Sequence, residues 1–449
     1  MQNNVLISTQ DFGMGGAAIV QQIITSMSPQ KINYKYLVPK SGRCIHSNGN
    51  NTIDIVDLYN KENIKDSIAY HQCLQQYLLE NETQLVHQTS FAFSVYDHLL
   101  IAWAWMHDIP RLAVDTQPWF WKIQQSITYQ QSKLKKLQKI KQQKNTKELF
   151  TYIDSLFYKN PHEAIFLLHL LSETSLVQGS KHTCPFLDEL KHAKLYNPIE
   201  FGIISDQAEK DSTYGQYILV QISGGDYPIL TYEEELDYAE IIFKLVNHFS
   251  QKYFSHLQWK LLMRQEYIDG LKLRNIFHPN KNLSISPPVD NKTNIHLIRN
   301  AKLCLISAGL LSVHEAAKNE TPVFFIPEQH AGKLEYQQFL QKQNYPVVSC
   351  SVNHLLDENT KNLPNEIPIA RKMYQLYRQN KSTITQITNP FYDQMNSMLT
   401  TISSKNQRYL SKVAQKQQQT IATISGGMNG KETILTTFLD MLQSPTMTN

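Results

Sequence analysis

Two series of short apolar runs, each alternating with helical stretches, constrain the fold of this chain more than any other feature. The first series contains "NVLIST", "YKYLVP", "TIDIVDLY", "TQLVHQTS" and "PRLAVDT". The second contains "QYILVQIS", "QWKLLM", "NLSIS", "KLCLIS" and "VFFIP". Apolar runs bounded by small or polar residues are typical of parallel strands that are buried on both faces. The alternation therefore predicts an α/β protein with two doubly wound sheets.

The chain is long enough to fold each series as a separate domain. Its 449 residues are 41% hydrophobic and 18% charged, which is typical of a globular protein with two or three domains. We predict a Rossmann-like domain over residues 1–200, with a helical insertion at about 130–178. A second Rossmann-like domain over residues 201–380 and a helical extension over residues 381–449 follow.

Composition argues against several classes of function. The net charge of +4 is small for a chain of this length, so a nucleic-acid polymer is not expected as a partner. The five cysteines are scattered, odd in number and without metal-ligand spacing, which favours reduced thiols. The N-terminus enters a strand without a secretory signal, and no apolar run is long enough to cross a bilayer. We therefore expect a cytoplasmic protein.

A basic helix over Lys133–Lys147 interrupts the first series. Leu134, Leu137 and Ile140 recur along it at helical spacing. A solvated charged face is the favoured interpretation. The alternative is peripheral contact with an anionic membrane, which would suit a lipid-linked substrate.

The stretch "SAGLLSVHEAAKNETPVFFIPEQH", Ser307–His330, places polar residues after two successive strands of the second series. Ser312 and Glu315 form a Ser-x-x-Glu pattern that caps helices, and capping is the favoured interpretation of that pair alone. In doubly wound sheets, however, ligands bind beyond the carboxyl ends of the strands. A helix N-terminus at that edge favours an anion such as a phosphate.

Glycine-rich turns follow the first strand of each series, in "FGMGG" and "ISGGD". Backbone N–H groups at such turns can approach a phosphate, although a tight turn without a ligand is the alternative for the first of them. Neither turn completes a P-loop or a dinucleotide-binding fingerprint, so no cofactor is predicted. The sequence has no Asp-x-Asp motif and no His/Cys cluster, so no metal is predicted either.

The order of these features resembles the GT-B glycosyltransferases, closest in motif to the MurG-like UDP-sugar transferases. The detailed match covers "ISAGLLSVHEAA", "TPVFFIP" and "EQHAGKLEYQQFLQKQNYP". The resemblance implies two Rossmann-like domains facing a cleft, with extra helices. It implies metal-independent transfer of a sugar from a nucleotide-sugar donor, a UDP-sugar, to a small or lipid-linked acceptor.

The resemblance also implies the residues that hold the donor. Glu315 would accept hydrogen bonds from the ribose, and the turn over Ser307–Ser312 would face the diphosphate. The remaining donor contacts that it implies are Gly224 and Gly225 under the phosphates, Gly309 in the turn, Ser286 near the uracil, and Gln329, Glu335 and Gln337 at the sugar hydroxyls.

The acceptor side departs from the pattern of the family. Relatives often have a histidine base at or next to Gly16, whereas this loop offers Gly15, Gly16 and small neighbours. Asp115, after the run "RLAV", is the first candidate for the base, since we expect it to reach the cleft, and Asp11 is the second.

Two tryptophans, Trp119 and Trp121, follow Asp115 in the sequence. Core packing is the favoured interpretation of these rings. The functional alternative is an acceptor site for a planar, nucleobase-like molecule, with a fainter resemblance to cytosylglucuronate synthase-type enzymes.

Two other functions fit the same resemblance. The missing histidine suits a catalytically silent GT-B homologue that acts as a binding or partner subunit. A GT-B epimerase is more distant, because it needs several carboxylates around the sugar. The donor residues retained together favour a transferase.

Overall fold

The computed structural model describes residues 3–9, 15–27, 32–38, 52–58, 67–117, 121–179, 184–222, 230–346, 348–361 and 366–443. The chain forms two compact units. The first unit is Met1–Ile204 together with Ala422–Asn449, and the second unit is Ser205–Ile421.

The first unit is built on a seven-stranded, wholly parallel sheet in the order β3-β2-β1-β4-β5-β6-β7. The strand order reverses between β1 and β4, and a doubly wound sheet opens a crevice beyond the carboxyl ends at such a point. The strands are β1 (Asn3–Thr9), β2 (Ile32–Val38), β3 (Thr52–Asp57), β4 (Phe91–Val95), β5 (Arg111–Asp115), β6 (Thr174–Gln178) and β7 (Pro198–Phe201).

The helices of the first unit cover both faces of this sheet with apolar side chains. The central helix α4 is apolar on all sides, and eight of its nine residues are buried. The helices are α1 (Gly15–Ser26), α2 (Ser67–Glu80), α3 (Glu82–Gln88), α4 (His98–Met106), α5 (Ile127–Gln142), α6 (Thr146–Phe157), α7 (Pro161–Ile165), α8 (Leu167–Leu171) and α9 (Phe186–His192).

The second unit repeats the arrangement on a smaller scale. Its five parallel strands lie in the order β10-β9-β8-β11-β12, so the order reverses between β8 and β11. These strands are β8 (Tyr217–Gln221), β9 (Gln258–Leu262), β10 (Leu283–Ser286), β11 (Leu303–Ser307) and β12 (Val323–Ile326).

The helices from residue 230 to the C-terminus follow in chain order. They are α10 (Tyr232–Lys252), α11 (Gln265–Leu273), α12 (Asn291–Asn300), α13 (Leu310–Lys318), α14 (Ala331–Lys342), α15 (Glu358–Lys361), α16 (Glu366–Asn380), α17 (Pro390–Ser403), α18 (Gln407–Ile424) and α19 (Gly430–Gln443), with a 3₁₀ turn at Val352–His354.

The residues predicted as one helical extension are shared between the two units. The boundary between the units falls inside α18, and the chain beyond it belongs to the first unit. There, the ring of Phe438 in α19 packs edge-on against Phe91 and Phe93. A Cβ added to Gly202 would lie 2.5 Å from the carbonyl carbon of Gly427, so a side chain at Gly202 would block this close approach.

Three strands or helices differ from the sequence prediction in the first unit. The predicted strand "TQLVHQTS" forms most of α3, and the strand is the next run, "FAFSV", because that run buries all five side chains. The stretch "SETSLV", predicted to be helical, supplies most of β6. The stretch "KLYNPIEFG", for which no strand was predicted, contains the edge strand β7, whose first residue, Pro198, is tolerated because an edge strand lacks one ladder partner.

The basic helix is α5, and its apolar side faces the core of the first unit. Leu137 and Ile140 are buried, and the Lys133 ammonium pairs with the Glu163 carboxylate at 2.8 Å. The exposed side of α5 is therefore its charged side, which agrees with the favoured interpretation. Among the described residues, none of the helices is both long and apolar enough to cross a membrane.

Candidate functional site

The carboxyl ends of β8–β12 lie at one edge of the second sheet because all five strands are parallel. We call this edge the donor edge. Gly224 and Gly225 lie outside the described residues. The predicted donor residues that belong to the ends of these strands, or to the turns and helices that follow them, are Ser286, Ser307, Gly309, Ser312, Glu315, Gln329 and Glu335.

The helix α13 begins at the donor edge without a side-chain cap. Its N-cap is Gly309, which has no side chain to offer. Ser312 is the third residue of the helix, so the predicted capping box of Ser312 and Glu315 is wrong, because the helix begins earlier than the pattern suggested. The first N–H groups of a helix lack intrahelical partners, and here they remain available to an anion.

Glu315 is the buried acid of the donor edge. It is 4% exposed, and its Oε2 accepts a hydrogen bond from Asn294 Nδ2 at 2.9 Å. The Oδ1 atom of Asn294 in turn accepts from Gln221 Nε2 at 2.5 Å. Glu315 Oε1 receives no hydrogen bond from the described residues. Burial raises the pKa of Glu315 to about 8.

Gln329 is held in place through its backbone. Its N–H donates to Ser307 Oγ at 3.2 Å, and its carbonyl accepts from the Tyr374 hydroxyl at 2.6 Å. Its Nε2 lies 3.4 Å from the Tyr267 hydroxyl. Its Oε1 is buried and has no hydrogen-bond partner in the described part of the chain. Gln329 therefore presents a fixed acceptor, as a contact to a sugar hydroxyl requires.

Ser286 and Glu335 have less distinctive surroundings. The carbonyl of Ser286 already accepts a hydrogen bond from the Met263 N–H at 3.1 Å, and its side chain is half-buried. Glu335 is half-buried in the second turn of α14. Their predicted contacts to the base and to the sugar stay predictions.

Lys333 is a donor-edge residue that the sequence reasoning missed. It is 8% exposed, and its Nζ donates to Ser307 Oγ at 3.2 Å. A lysine in an amphipathic helix is normally exposed, so the sequence carried only a weak signal: its neighbours Leu334 and Gln337 belong to the buried side of the same helix.

Asp115 ends β5 but does not reach the surface of the first unit. Its side chain is completely buried, and its Oδ1 accepts from the Gln117 N–H at 2.7 Å. Its Oδ2 accepts from Trp121 Nε1 at 2.7 Å and lies 2.9 Å from His169 Nε2. The expected exposure of Asp115 is therefore corrected: both oxygens are engaged in the core.

Trp121 is packed in the same core. It is 8% exposed and meets the rings of Phe166 and His169 edge-on. Core packing, the favoured interpretation, describes Trp121. Trp119 lies outside the described residues, as does Asp11.

The predicted acceptor loop leads into α1, which begins at Gly15. A Cβ added to Gly16 would lie 3.2 Å from the Cβ of Thr9, so the small residue lets the helix start close to β1. This close approach gives Gly16 a packing reason, and its role toward an acceptor stays a prediction.

Asp97 is a second residue that the sequence reasoning missed. It follows β4, next to the point where the strand order reverses, and Tyr96 before it has a φ of 65°, a strained conformation for an aromatic residue. Asp97 Oδ1 caps α4 by accepting from the N–H groups of Leu99 and Leu100. Its Oδ2 is buried and makes no hydrogen bond within the usual distance and angle limits, although the nearby Ser8 hydroxyl favours the charged form of Asp97. Burial raises the pKa of Asp97 to about 6.

The described residues contain no group of three His, Cys, Asp or Glu side chains placed to hold a metal ion. Their cysteines, Cys73, Cys184, Cys304 and Cys350, are free thiols.

Comparisons with known proteins identify the fold. No protein-family profile matches the chain, and no curated protein sequence matches it. Among solved structures, it is similar to a UGT transferase from Siraitia grosvenorii in complex with UDP, with TM-score 0.53, 10% identity and coverage of 98% of this chain and 100% of that chain. It is also similar to the glycotransferase of kitacinnamycin, with TM-score 0.52, 10% identity and coverage of 96% and 98%.

A proposed UDP-N-acetylglucosamine 2-epimerase from Listeria monocytogenes is similar as well, with TM-score 0.50, 9% identity and coverage of 99% of this chain and 98% of that chain. The chain therefore has the GT-B fold, with two Rossmann-like sheets and additional helices. At these identities the likeness concerns the fold alone.

Proposed function

We propose that this protein is a glycosyltransferase that moves a sugar from a UDP-sugar to a small or lipid-linked acceptor. The observation that carries the proposal is Glu315, a buried acid with one oxygen left open at the donor edge. A ribose supplies two hydroxyl donors, and the uncapped N-terminus of α13 supplies N–H donors for the diphosphate. The UDP in the Siraitia grosvenorii transferase structure and the shared fold support this choice of donor.

The chemistry needs a base that removes a proton from the acceptor. Of the two predicted candidates, Asp11 lies outside the described residues and Asp115 has both oxygens engaged. Asp97 has a buried oxygen that makes no hydrogen bond within the usual limits, and burial raises its pKa to about 6, so we add it as a third candidate. In this proposal the acceptor binds to the first unit. A more specific form of the proposal is that the acceptor is a planar, nucleobase-like molecule.

Two alternatives use the same donor edge. A catalytically silent homologue would bind UDP through Glu315 and transfer nothing, which the missing histidine after "GMGG" favours. An epimerase would release UDP from the sugar without an acceptor. The structural likeness to a proposed epimerase is the reason to test this alternative. Assays of UDP release from UDP-sugars, with and without a library of acceptors, separate the three functions.

The donor assignment is tested by titrating UDP into the protein and into Glu315→Ala. We expect the substitution to weaken UDP binding by about 1–3 kcal/mol, because a ribose hydroxyl loses its acceptor in a buried site. Calorimetry measures the affinity, and Glu358→Ala is the matched control, since Glu358 is exposed in the same unit. Equal UDP affinity in Glu315→Ala and in the parent protein would contradict the assignment of Glu315 to the ribose.

A further inference from the structure

The Lys333 ammonium is buried without a counter-ion. Its hydrogen-bond acceptor is a neutral hydroxyl, Ser307 Oγ, at 3.2 Å. Among the described residues, no carboxylate lies within 4.0 Å of Lys333 Nζ, whereas the buried Lys133 of the first unit has such a partner at 2.8 Å. Lysine is almost never fully buried unless it is paired, because desolvation of a lone charge is costly. An anion beside Lys333 Nζ would offset this desolvation cost.

Glu328 is the acid that acts on Lys333 electrostatically, but its oxygens are used elsewhere. Its Oε1 accepts a short hydrogen bond from the Ser351 hydroxyl, and its Oε2 accepts from the Val352 N–H at 2.9 Å. Burial lowers the pKa of Lys333 to about 7 in spite of the charge of Glu328. Through these hydrogen bonds Glu328 holds the 3₁₀ turn at Val352–His354, so it attracts the ammonium without pairing with it directly.

The surroundings of Lys333 specify what kind of anion would fit. Ser307, its hydrogen-bond partner, ends β11 two residues before the uncapped N-cap Gly309. Gln329 donates its N–H to the same Ser307 hydroxyl, so it lies beside Lys333. The Oε1 atoms of Gln329 and Gln337 are buried acceptors without partners among the described residues. A cation next to acceptors without partners matches a phosphate attached to a sugar, because the phosphate oxygens accept hydrogen bonds and the sugar hydroxyls donate them.

We propose that Lys333 binds an anionic group of the donor, and that this group is the phosphate that carries the sugar. The inference rests on the proposed function, because it assumes that the ligand of the donor edge is a nucleotide sugar. A carboxylate on the sugar itself, as in a uronic acid, would present the same chemistry to the ammonium. Ser307 holds the Lys333 side chain in position until the donor arrives.

The test compares Lys333→Met with the parent protein, using calorimetry on the full chain. Pyrophosphate, UDP, uridine, UDP-glucose and UDP-glucuronate are the probes. We expect roughly 10- to 100-fold weaker binding of pyrophosphate and UDP, because a charge-assisted hydrogen bond is lost, and unchanged binding of uridine. Lys342→Met is the matched control, since Lys342 is exposed in the last turn of the same helix.

The same variant separates a ligand contact from a structural role. Methionine replaces an unpaired buried charge with an apolar chain of similar size, so we expect ligand-free Lys333→Met to melt at the same or a higher temperature than the parent protein. A lower melting temperature together with undiminished binding of every probe would assign Lys333 to the scaffold and overturn the inference.

The probes also distinguish the two sources of the anion, and they separate this inference from the proposed function. If Lys333→Met weakens the binding of UDP-glucuronate alone, Lys333 contacts a carboxylate on the sugar and not the phosphate. Binding of UDP that is equal in Lys333→Met and in the parent protein would contradict the inference and leave the proposed function standing. A parent protein that binds none of the probes would contradict both.

Discussion

Glu315 is a single buried group through which UDP binding is expected to depend on pH. Because burial raises its pKa to about 8, the carboxyl group keeps its proton at neutral pH in the ligand-free protein. Ribose hydroxyls that donate to it would favour the charged form and lower that pKa. UDP binding in the proposed mode is therefore coupled to loss of a proton from Glu315 near neutral pH.

The raised pKa of Glu315 also predicts how stability changes with pH. The ordinary pKa of the group is 4.5, so between pH 4.5 and 8 the folded protein keeps a proton that the unfolded chain releases. The stability present below pH 4.5 is lost as the pH rises through this window. Glutamine does not titrate, so the free energy of unfolding of Glu315→Gln should rise relative to the parent protein between pH 5 and pH 8, by on the order of a few kcal/mol.

Urea denaturation at several pH values measures this difference. Glu358→Gln, at an exposed position, is the control and should follow the parent protein at every pH. A difference between Glu315→Gln and the parent protein that stays constant from pH 5 to pH 8 would show that Glu315 titrates normally.

The identity of the base is also a question at the scale of single residues. Asparagine caps a helix as well as aspartate does, so Asp97→Asn should keep α4 intact while removing the carboxylate. We expect it to lower the rate of sugar transfer by roughly 10²–10⁴-fold and to leave UDP affinity unchanged. The assay is UDP release from the UDP-sugar in the presence of an acceptor identified by screening.

A comparison with Asp115→Asn separates the loss of a catalytic base from the loss of a structural contact. That substitution disturbs the buried contacts to Trp121 and His169, so we expect lower thermal stability as its main effect. Normal turnover in Asp97→Asn would show that Asp97 is not the base. Loss of turnover in a folded Asp115→Asn, or in Asp11→Asn, would then identify the base as the residue predicted from sequence.

At the scale of strands and helices, the ends of the parallel strands were the most predictable feature. In the second unit β11 and β12 are short apolar runs, and polar residues follow each of them in the sequence, so the pattern alone assigns Ser307, Glu315 and Gln329 to one edge. The parallel sheet has this property because its strands are buried on both faces and its connections return to the same edge.

The features that escaped prediction depend on burial that only tertiary packing determines. The fourth strand was predicted at "TQLVHQTS" instead of at the next run, "FAFSV", so the sequence analysis missed the strand end beside Asp97. Lys333 looks like a solvated lysine, because its neighbours in the sequence do not reveal that its helix packs on that side. Asp115 was predicted at the right strand end, but the His169 ring that helps to enclose it comes from a residue far along the chain.

The whole molecule combines two Rossmann-like sheets with a C-terminal segment that returns from the second unit to the first. The same fold occurs in transferases and in a proposed epimerase, so the fold alone does not decide the reaction. Within this fold, the residues that favour the donor assignment all belong to the second unit. The absence of a metal requirement stays a prediction.

The most direct test of the central claim is hydrogen–deuterium exchange of the full chain with and without UDP. We expect slower exchange in peptides that cover the start of α13 and the loop between β12 and α14, because bound UDP engages the N–H groups at the donor edge. At a UDP concentration near the Kd of the parent protein, the protection should be much weaker in Glu315→Ala. Protection confined to the first unit, or no protection at a UDP concentration that binds by calorimetry, would contradict the claim that the donor edge binds UDP.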